Sequence, residues 1–423
     1  MTQEKKNYAL PIAIMFALFF MISFVTGLQN PMGVIVKNQF EGITNFMSQL
    51  GNAANFIAYA FMGIPAGYLL QKIGYKKTAL AAVTVGFVGV GITFISGQVA
   101  SFAVYLIGAF VSGFSMCMLN TVVNPMLNTL GGEGKKGNQL LQFGGSINSI
   151  GATIVPVLVG YLMGDVAKAT IDKANPALFL AMGIFVLAFV VLAAVKIPEP
   201  HMGEPNAKKG KEPHSPLSFR HFVLGTVAIF LYVGIEVGIP NFANLYMTTD
   251  LAIDATTAGT IVGTYWFLML IGRLLGGTFG GKFSSKTMLT FVALLGMCFI
   301  LLTILLPKGI TVNMPVFKSD ISFGLTEVPI GIMFLVLCGL CTSVMWGGIF
   351  NLAVEGLGKY TAAGAGIFMV MVCGGGILPL IQGLAADSWG YMASYWVIFL
   401  ALVYMLYYAL IGCKNVNRDI PVE

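Results

Sequence analysis

The chain has 423 residues, of which 57% are hydrophobic and 9% are charged. Soluble proteins are about 25% charged, so most of this surface must face lipid, and a disordered chain, a disulfide scaffold and a nucleic-acid-binding domain are excluded. The net charge of +6 requires no acidic partner, because membrane proteins collect Lys and Arg on one side of the bilayer.

Twelve segments are long and apolar enough to cross a bilayer, which takes about 20 residues. The first begins near Tyr8 and lacks a signal-peptide cleavage pattern, so we expect it to be retained. Several segments are longer than a span requires, which predicts tilted or broken helices. The predicted spans are 9–37, 43–71, 76–97, 100–130, 137–164, 175–196, 218–248, 256–282, 286–306, 328–354, 359–386 and 391–413.

A single long polar stretch, residues 197–217, interrupts this pattern in mid-chain. Its Pro, Lys and Glu content is typical of a solvated linker, which predicts a six-helix bundle in 1–196 and another in 218–423. Seventeen of the 23 Lys and Arg residues fall on the side that would carry both termini and the linker. The excess predicts that this side is cytoplasmic.

The two predicted bundles share sequence motifs in the same order. The pattern GxxxG at 63–67 recurs at 272–276, and Lys-Thr follows ten residues later in both cases. Gly151 and Pro156 likewise recur as Gly374 and Pro379. We therefore predict an all-α membrane protein of twelve transmembrane helices in two parallel six-helix repeats, an arrangement that lets two bundles rock about a central site.

Polar side chains within spans are costly in lipid, so each must face a partner or a water-filled cavity. Asn and Gln offer both a donor and an acceptor, which suits the neighbouring hydroxyls of a sugar; hydrogen bonding between helices is the alternative for any one of them. We also expect one of the two Trp residues in the middle spans to line the pocket. The candidates are Asn30, Asn52, Asn55, Asn120, Asn124, Gln142, Asn148, Asn241, Trp266 and Trp346.

The ionisable candidate is Glu236, which lies about 15 residues, or roughly 20 Å, into its span. A carboxylate at this depth predicts proton uptake or a Na⁺ site, and a buried structural acid is the alternative. Arg273 and Glu355 lie near the predicted cytoplasmic ends of their spans, where a gate or a structural ion pair is expected. The six Cys and three His form no predicted metal or haem site, so we expect no cofactor and no metal beyond a possible Na⁺ near Glu236.

Several motifs together resemble the fucose–proton symporter family of the major facilitator superfamily, which includes bacterial glucose/galactose transporters. They cover nearly the whole chain and comprise Asn124-Pro125, Asn148-Ser149-Ile150-Gly151, Tyr232-Val233-Gly234, Ile271-Gly272-Arg273 and Gly374-Gly375-Gly376-Ile377. The resemblance implies a major facilitator fold, sugar transport and a bacterial inner membrane.

Two departures from the family are informative. The fucose permeases have acids in L-N-D and L-E-T motifs that serve sugar binding and proton coupling, whereas this chain has Leu28-Gln29-Asn30 and Leu119-Asn120-Thr121. Amides at Gln29, Asn30 and Asn120 can bind a sugar but cannot titrate. An acid at the position of Glu236 looks like the glucose-type members, so we expect Glu236 to couple the ion.

The sequence therefore predicts a monomeric secondary transporter that imports a hexose, deoxyhexose or amino sugar by alternating access, coupled to H⁺ or Na⁺. Its partners are the sugar, the ion and the lipid bilayer, without nucleic acid. The alternatives are a sugar uniporter, a carrier of an acidic sugar or another metabolite, and a sugar sensor that does not transport. A membrane enzyme is disfavoured because no cluster of His, Cys and carboxylates supports one.

Overall fold

The computed structural model of the chain describes residues 8–41, 47, 50–132, 134–163, 170–199, 214–253, 255–307, 309–318 and 322–422. Helices dominate these ranges, as the apolar composition predicts. The helices that precede the predicted linker are α1 (Ala9–Gln39), α2 (Leu50–Gln98), α3 (Phe102–Leu130), α4 (Gly134–Met163) and α5 (Ile171–Ala194).

The helices after the linker include two spans that are each divided. In chain order they are α6 (Arg220–Thr249), α7 (Ala255–Gly280), α8 (Ser285–Leu305), α9 (Ile330–Ser343), α10 (Met345–Val354), α11 (Thr361–Val370), α12 (Gly374–Trp389) and α13 (Tyr391–Tyr407). One predicted span is split at Val344 into α9 and α10. The next is split by a 3₁₀ turn at Met371–Cys373, directly before three glycines, so the prediction of broken helices is confirmed for these two spans.

Helix α2 contains two predicted spans, which Gly74 separates. Gly74 has φ 85° and ψ 175°, a left-handed conformation that glycine adopts without steric cost. The carboxylate of Glu199 accepts hydrogen bonds from the main-chain N–H groups of Tyr75 and Lys76. These amides begin the second part of α2 and lack helical partners, so Glu199 caps a new helix at this point.

Ten helical segments among the described residues are long and apolar enough to span a membrane. One of them, Ala53–Gln98, contains the break at Gly74 and therefore accounts for two predicted spans. The helix Gly134–Met163 is not among the ten but covers a further predicted span. The twelve predicted spans are thus consistent with the observed helices, and the protein is a multi-pass membrane protein.

A two-stranded hairpin between α8 and α9 was not predicted. Strands β1 (Thr311–Phe317) and β2 (Phe323–Pro329) pair antiparallel from Thr311↔Pro329 to Phe317↔Phe323. The hairpin packs on α7, where the ring of Phe317 stacks on Phe267 at 4.5 Å between centroids. Within the described residues it is the one departure from the predicted all-α fold.

The chain divides into two compact units. The first takes its described residues from Met1–Pro213, Leu357–Val370 and Val422–Glu423, and therefore includes α1 to α5 and α11. The second takes its residues from His214–Gly356 and Met371–Pro421, and includes α6 to α10, the hairpin, α12 and α13. The predicted division at the linker, 1–196 and 218–423, remains a prediction.

Candidate functional site

The second unit contains a buried ion pair between α6 and α7. Nη2 of Arg273 donates to Oε1 of Glu236 at 3.2 Å, and the two side chains are only 10% and 16% exposed. The sequence argument located Arg273 near the cytoplasmic surface, apart from the deep acid. The two side chains are in contact, so the cation of Arg273 neutralises the carboxylate of Glu236.

Helix α6 has a missing hydrogen bond at the same residue. Pro240 has no N–H, so the main-chain carbonyl of Glu236, four residues earlier, lacks its helical donor. The hydroxyl of Tyr265 on α7 lies 3.3 Å from that carbonyl oxygen and 3.0 Å from Oγ1 of Thr342 on α9. Side-chain hydroxyls therefore join three helices at Glu236.

Arg273 makes a second link between the same helices. Its Nε donates to the carbonyl oxygen of Ser343, at 3.4 Å, while its Nη2 contacts Glu236. Tyr265 and Arg273 are eight residues apart on α7 and thus close to the same face of that helix. Glu236 is held through its main chain by one of them and through its side chain by the other.

Two aromatic residues lie against this ion pair. Tyr232, one turn before Glu236, is fully buried, and its hydroxyl faces the carboxylate of Glu236 and the guanidinium of Arg273. Its ring meets that of Trp346 at 6.3 Å between centroids and 62° between planes, and Trp346 is half-buried. Glu236, Arg273, Tyr232, Tyr265 and Trp346 form a group that we call the deep polar cluster.

The first unit contains a separate network of amides on α2 and α3. Nδ2 of Asn120 donates to the hydroxyl of Tyr59 at 3.0 Å and to the carbonyl oxygen of Met116 at 3.1 Å. Nδ2 of Asn124 donates to the carbonyl oxygen of Asn120 at 2.8 Å. Asn55 is also buried, and its Nδ2 has no partner among the described residues, which leaves a donor for a ligand.

Other predicted amides of this unit bond to the protein itself. Nδ2 of Asn148 on α4 donates to the carbonyl oxygen of Phe19 on α1 at 3.0 Å. Nε2 of Gln142 donates to Oδ1 of Asn138 on the same helix at 3.3 Å. The bond of Asn148 is the interhelical type that was the alternative to sugar binding, so its predicted role remains a prediction.

Six further predicted residues lie outside these networks or have side chains outside the described residues. Asn241 is exposed on α6, and Trp266 is 37% exposed on α7. Glu355 is exposed, and its main-chain carbonyl accepts a hydrogen bond from Nε2 of His221 at 2.9 Å. The side chains of three predicted residues lie outside the described residues: Gln29, Asn30 and Asn52.

Sequence reasoning missed Tyr265, Thr342 and Ser343. A signal for Tyr265 exists, because Pro240 leaves the Glu236 carbonyl in need of a donor. The sequence does not say which helix supplies that donor. Among the described residues, no group of three or more His, Cys, Asp and Glu side chains is placed to hold a metal, and Cys338 and Cys341 are buried with free thiols.

Comparison with known proteins supports a single assignment. A sequence model described as the Major Facilitator Superfamily matches residues 14–378. The glucose/galactose transporter of Brucella abortus biovar 1 (strain 9-941) is 29% identical over 422 residues, which are 98% of this chain and 97% of that protein. The L-fucose-proton symporter of Escherichia coli (strain K12) is 25% identical over 419 residues, which are 92% and 89% of the two chains.

The fold agrees with solved structures. The crystal structure of the E. coli fucose:proton symporter matches with a TM-score of 0.82 at 20% sequence identity, over 97% of this chain and 100% of that one. At this identity the match establishes the fold alone. The resemblance and the fold class predicted from the motifs are confirmed.

Proposed function

Because the chain belongs to the major facilitator superfamily, we propose that it is a secondary transporter that imports a monosaccharide by alternating access. It is a transporter rather than an enzyme, as the family and the names of its relatives state. Its relatives are named for glucose, galactose and L-fucose, so the proposed substrate is a hexose, a deoxyhexose or an amino sugar. The proposed location is the bacterial inner membrane, with both termini in the cytoplasm and the protein as a monomer.

The observation that carries the proposal is the ion pair within the deep polar cluster. Uphill transport requires an ion whose binding is linked to that of the sugar, and the ion requires a group that it can neutralise. In the first unit the family's acids are replaced by amides, including Asn120. Glu236 is a carboxylate within a predicted span, beside a half-buried Trp and the buried hydroxyl of Tyr232.

The environment of Glu236 favours H⁺ as the coupling ion. A Na⁺ site requires several oxygen ligands and no adjacent cation, whereas a proton requires one oxygen. Arg273 already lies 3.2 Å from one carboxylate oxygen, and the carbonyl freed by Pro240 already receives the hydroxyl of Tyr265. A proton on Glu236 would release Arg273 to bind a sugar oxygen, so that the two binding events favour each other.

The amides supply the remaining polar contacts in this proposal. Asn55, Asn120 and Asn124 offer donors and acceptors for sugar hydroxyls, and Trp346 offers an aromatic face. Asn241 is exposed on α6 and remains a candidate, as do Asn30 and Asn52. Arg273, for which the sequence predicts a gate or a structural ion pair, is in this proposal the partner of Glu236 at the coupling site.

The test is transport into proteoliposomes of purified protein, with radiolabelled D-glucose, D-galactose, L-fucose and N-acetylglucosamine as probes. We expect at least one sugar to accumulate when an inward proton gradient is imposed. Glu236→Gln should abolish accumulation against a gradient and retain exchange of sugar across the membrane, which also shows that the variant is folded. Full accumulation by this variant, or a wild-type protein that moves none of the sugars, would contradict the proposal.

The same experiment separates the alternatives. A uniporter would equilibrate sugar in wild type and variant alike, with no response to the proton gradient. A sodium symporter would accumulate sugar only with an inward Na⁺ gradient. A sensor would bind sugar in a thermal-shift measurement but move none.

A further inference from the structure

The residue that holds the Glu236 carbonyl has not been assigned a role. Tyr265 is fully buried on α7. Its hydroxyl donates a hydrogen bond to the main-chain carbonyl of Glu236, which has no helical donor because residue 240 is a proline. An unpaired carbonyl is costly in a membrane, because no water is available to replace the lost hydrogen bond. The tyrosine hydroxyl thus takes the place of a main-chain amide.

Counting hydrogens decides the direction of these bonds. Tyr265 and Thr342 supply two hydrogens for four contacts: Tyr265 with the Glu236 carbonyl, Tyr265 with Thr342, and Thr342 with the carbonyl oxygens of Cys338 at 3.1 Å and Gly339 at 3.3 Å. The Cys338 and Gly339 carbonyls already accept from the α9 main chain, four residues later. The Glu236 carbonyl has no such amide. The arrangement that satisfies every acceptor is therefore Thr342 donating to Tyr265, and Tyr265 donating to Glu236.

The bond fixes the residue that also makes the ion pair. The carboxylate of Glu236 contacts Arg273, and Arg273 contacts the carbonyl oxygen of Ser343, the neighbour of Thr342. Tyr265 therefore holds the main chain of Glu236, and Arg273 holds its side chain. Without the bond from Tyr265 the main chain before the proline would be free to bend, and the carboxylate would move relative to Arg273.

We propose that Tyr265 is a positioning residue of the coupling site, whose hydroxyl replaces the amide missing at Pro240 and holds the Glu236 carboxylate against Arg273. The inference rests on the proposed function, in which Glu236 takes up the coupled proton. The titratable groups that face this carboxylate are Tyr232 on α6 and Tyr265 and Arg273 on α7. The thiol of Cys338 on α9 faces Tyr265.

Tyr265→Phe tests this inference, because it removes the hydroxyl and keeps the ring. The matched control is Tyr395→Phe: the hydroxyl of Tyr395 donates at 2.9 Å to the main-chain carbonyl of Ile239, three residues after Glu236 on the same helix. Both variants lose one tyrosine-to-carbonyl hydrogen bond. A merely structural role predicts the same behaviour for both.

The first measurement is the ratio of accumulated to exchanged sugar in proteoliposomes, with the best wild-type substrate from the screen above. Tyr265→Phe should lower this ratio about fivefold, the fold-change that corresponds to a hydrogen bond of ~1 kcal/mol, and Tyr395→Phe should leave it unchanged. If Glu236→Gln abolishes accumulation and the two tyrosine variants behave alike, the positioning role is wrong and the proposed function stands. Normal accumulation by Glu236→Gln instead refutes the proposed function.

The second measurement needs no sugar. With Trp266, Trp389 and Trp396 replaced by Phe, the fluorescence of Trp346 reports on the deep polar cluster, because its ring contacts Tyr232. We expect a pH titration of this signal that Glu236→Gln removes. Tyr265→Phe should shift its midpoint, and Tyr395→Phe should not. An unshifted midpoint in Tyr265→Phe, or no titration at all, overturns the inference.

Discussion

The ion pair between Glu236 and Arg273 predicts an unequal pair of single-variant effects. Glu236→Gln leaves a guanidinium without its counter-charge in a site where both side chains are at most 16% exposed. Arg273→Met leaves a carboxylate, which can become neutral by taking up a proton, whereas a guanidinium cannot lose its charge. Glu236→Gln should therefore destabilise the protein more than Arg273→Met.

The magnitude follows from the burial. Removal of one partner of a buried pair costs about 3–5 kcal/mol, and the residual exposure of these two side chains favours the lower end, about 3 kcal/mol. The double variant Glu236→Gln/Arg273→Met contains no uncompensated charge. It should be more stable than Glu236→Gln alone, with a coupling energy of about 2 kcal/mol, the middle of the range for groups in direct contact.

The assay is thermal unfolding of the four purified proteins in one detergent, measured as the loss of folded protein. The wild type, two single variants and the double variant form a complete cycle. We expect the double variant to recover several degrees of the melting temperature lost by Glu236→Gln. If the destabilisations of the two single variants add to that of the double variant within about 0.5 kcal/mol, the two side chains do not stabilise each other and the reasoning is wrong.

Two further predictions concern helix packing and the pocket. Gly374→Ala should destabilise by about 1–3 kcal/mol, since its Cβ would collide with the carbonyl oxygen of Phe230; Gly376→Ala, which has open space, is the matched control and should unfold like the wild type or slightly later. Trp346→Ala and Asn120→Ala should each weaken sugar binding by a few kcal/mol at most, measured by thermal shift with sugar, while the unliganded protein keeps most of its stability. Loss of folding without loss of affinity would show that these two side chains are structural.

The twelve spans were predictable because a segment that crosses lipid must be both long and apolar, and both properties can be read from the sequence. A spanning segment must satisfy its own main-chain hydrogen bonds, and a long apolar helix is the simplest way to do so. The break before Gly374 was also visible, as three consecutive glycines. The helix boundaries differ by a few residues because end residues are set by local capping, as with Glu199 at Tyr75.

The hairpin was missed although its pattern is present. Val312, Met314 and Val316 alternate with exposed residues in β1, which is the period of a half-buried strand. The alternation is short, and in a connection of some twenty residues between two strongly apolar helices it is a weak signal. Its burial depends on Phe267 of α7, and contacts between distant segments are not encoded in local periodicity.

The partner of Glu236 was missed for the same reason. Sequence position put Arg273 seven residues before the end of α7, which looked peripheral, while Glu236 looked deep in α6. The position of one helix along its neighbour depends on packing. Gly272 lets α7 approach α9 closely, because a Cβ at this position would collide with the Ser343 side chain. The depth of a charge in a membrane protein is thus a property of helix packing as well as of sequence.

The distribution of charge explains how the chain can differ from the fucose symporters and still couple an ion. Asn120 is committed by its amide hydrogens to Tyr59 and to its own helix, so this position provides hydrogen bonds without charge. The second unit instead contains an acid and a base that neutralise each other, at a residue whose main chain Pro240 has already freed from the helix. In the proposed mechanism, a proton that binds there would alter both the charge balance and the contacts between α6 and α7. In this mechanism the ion therefore binds at a residue whose main-chain carbonyl lacks a helical donor and is held by Tyr265 instead.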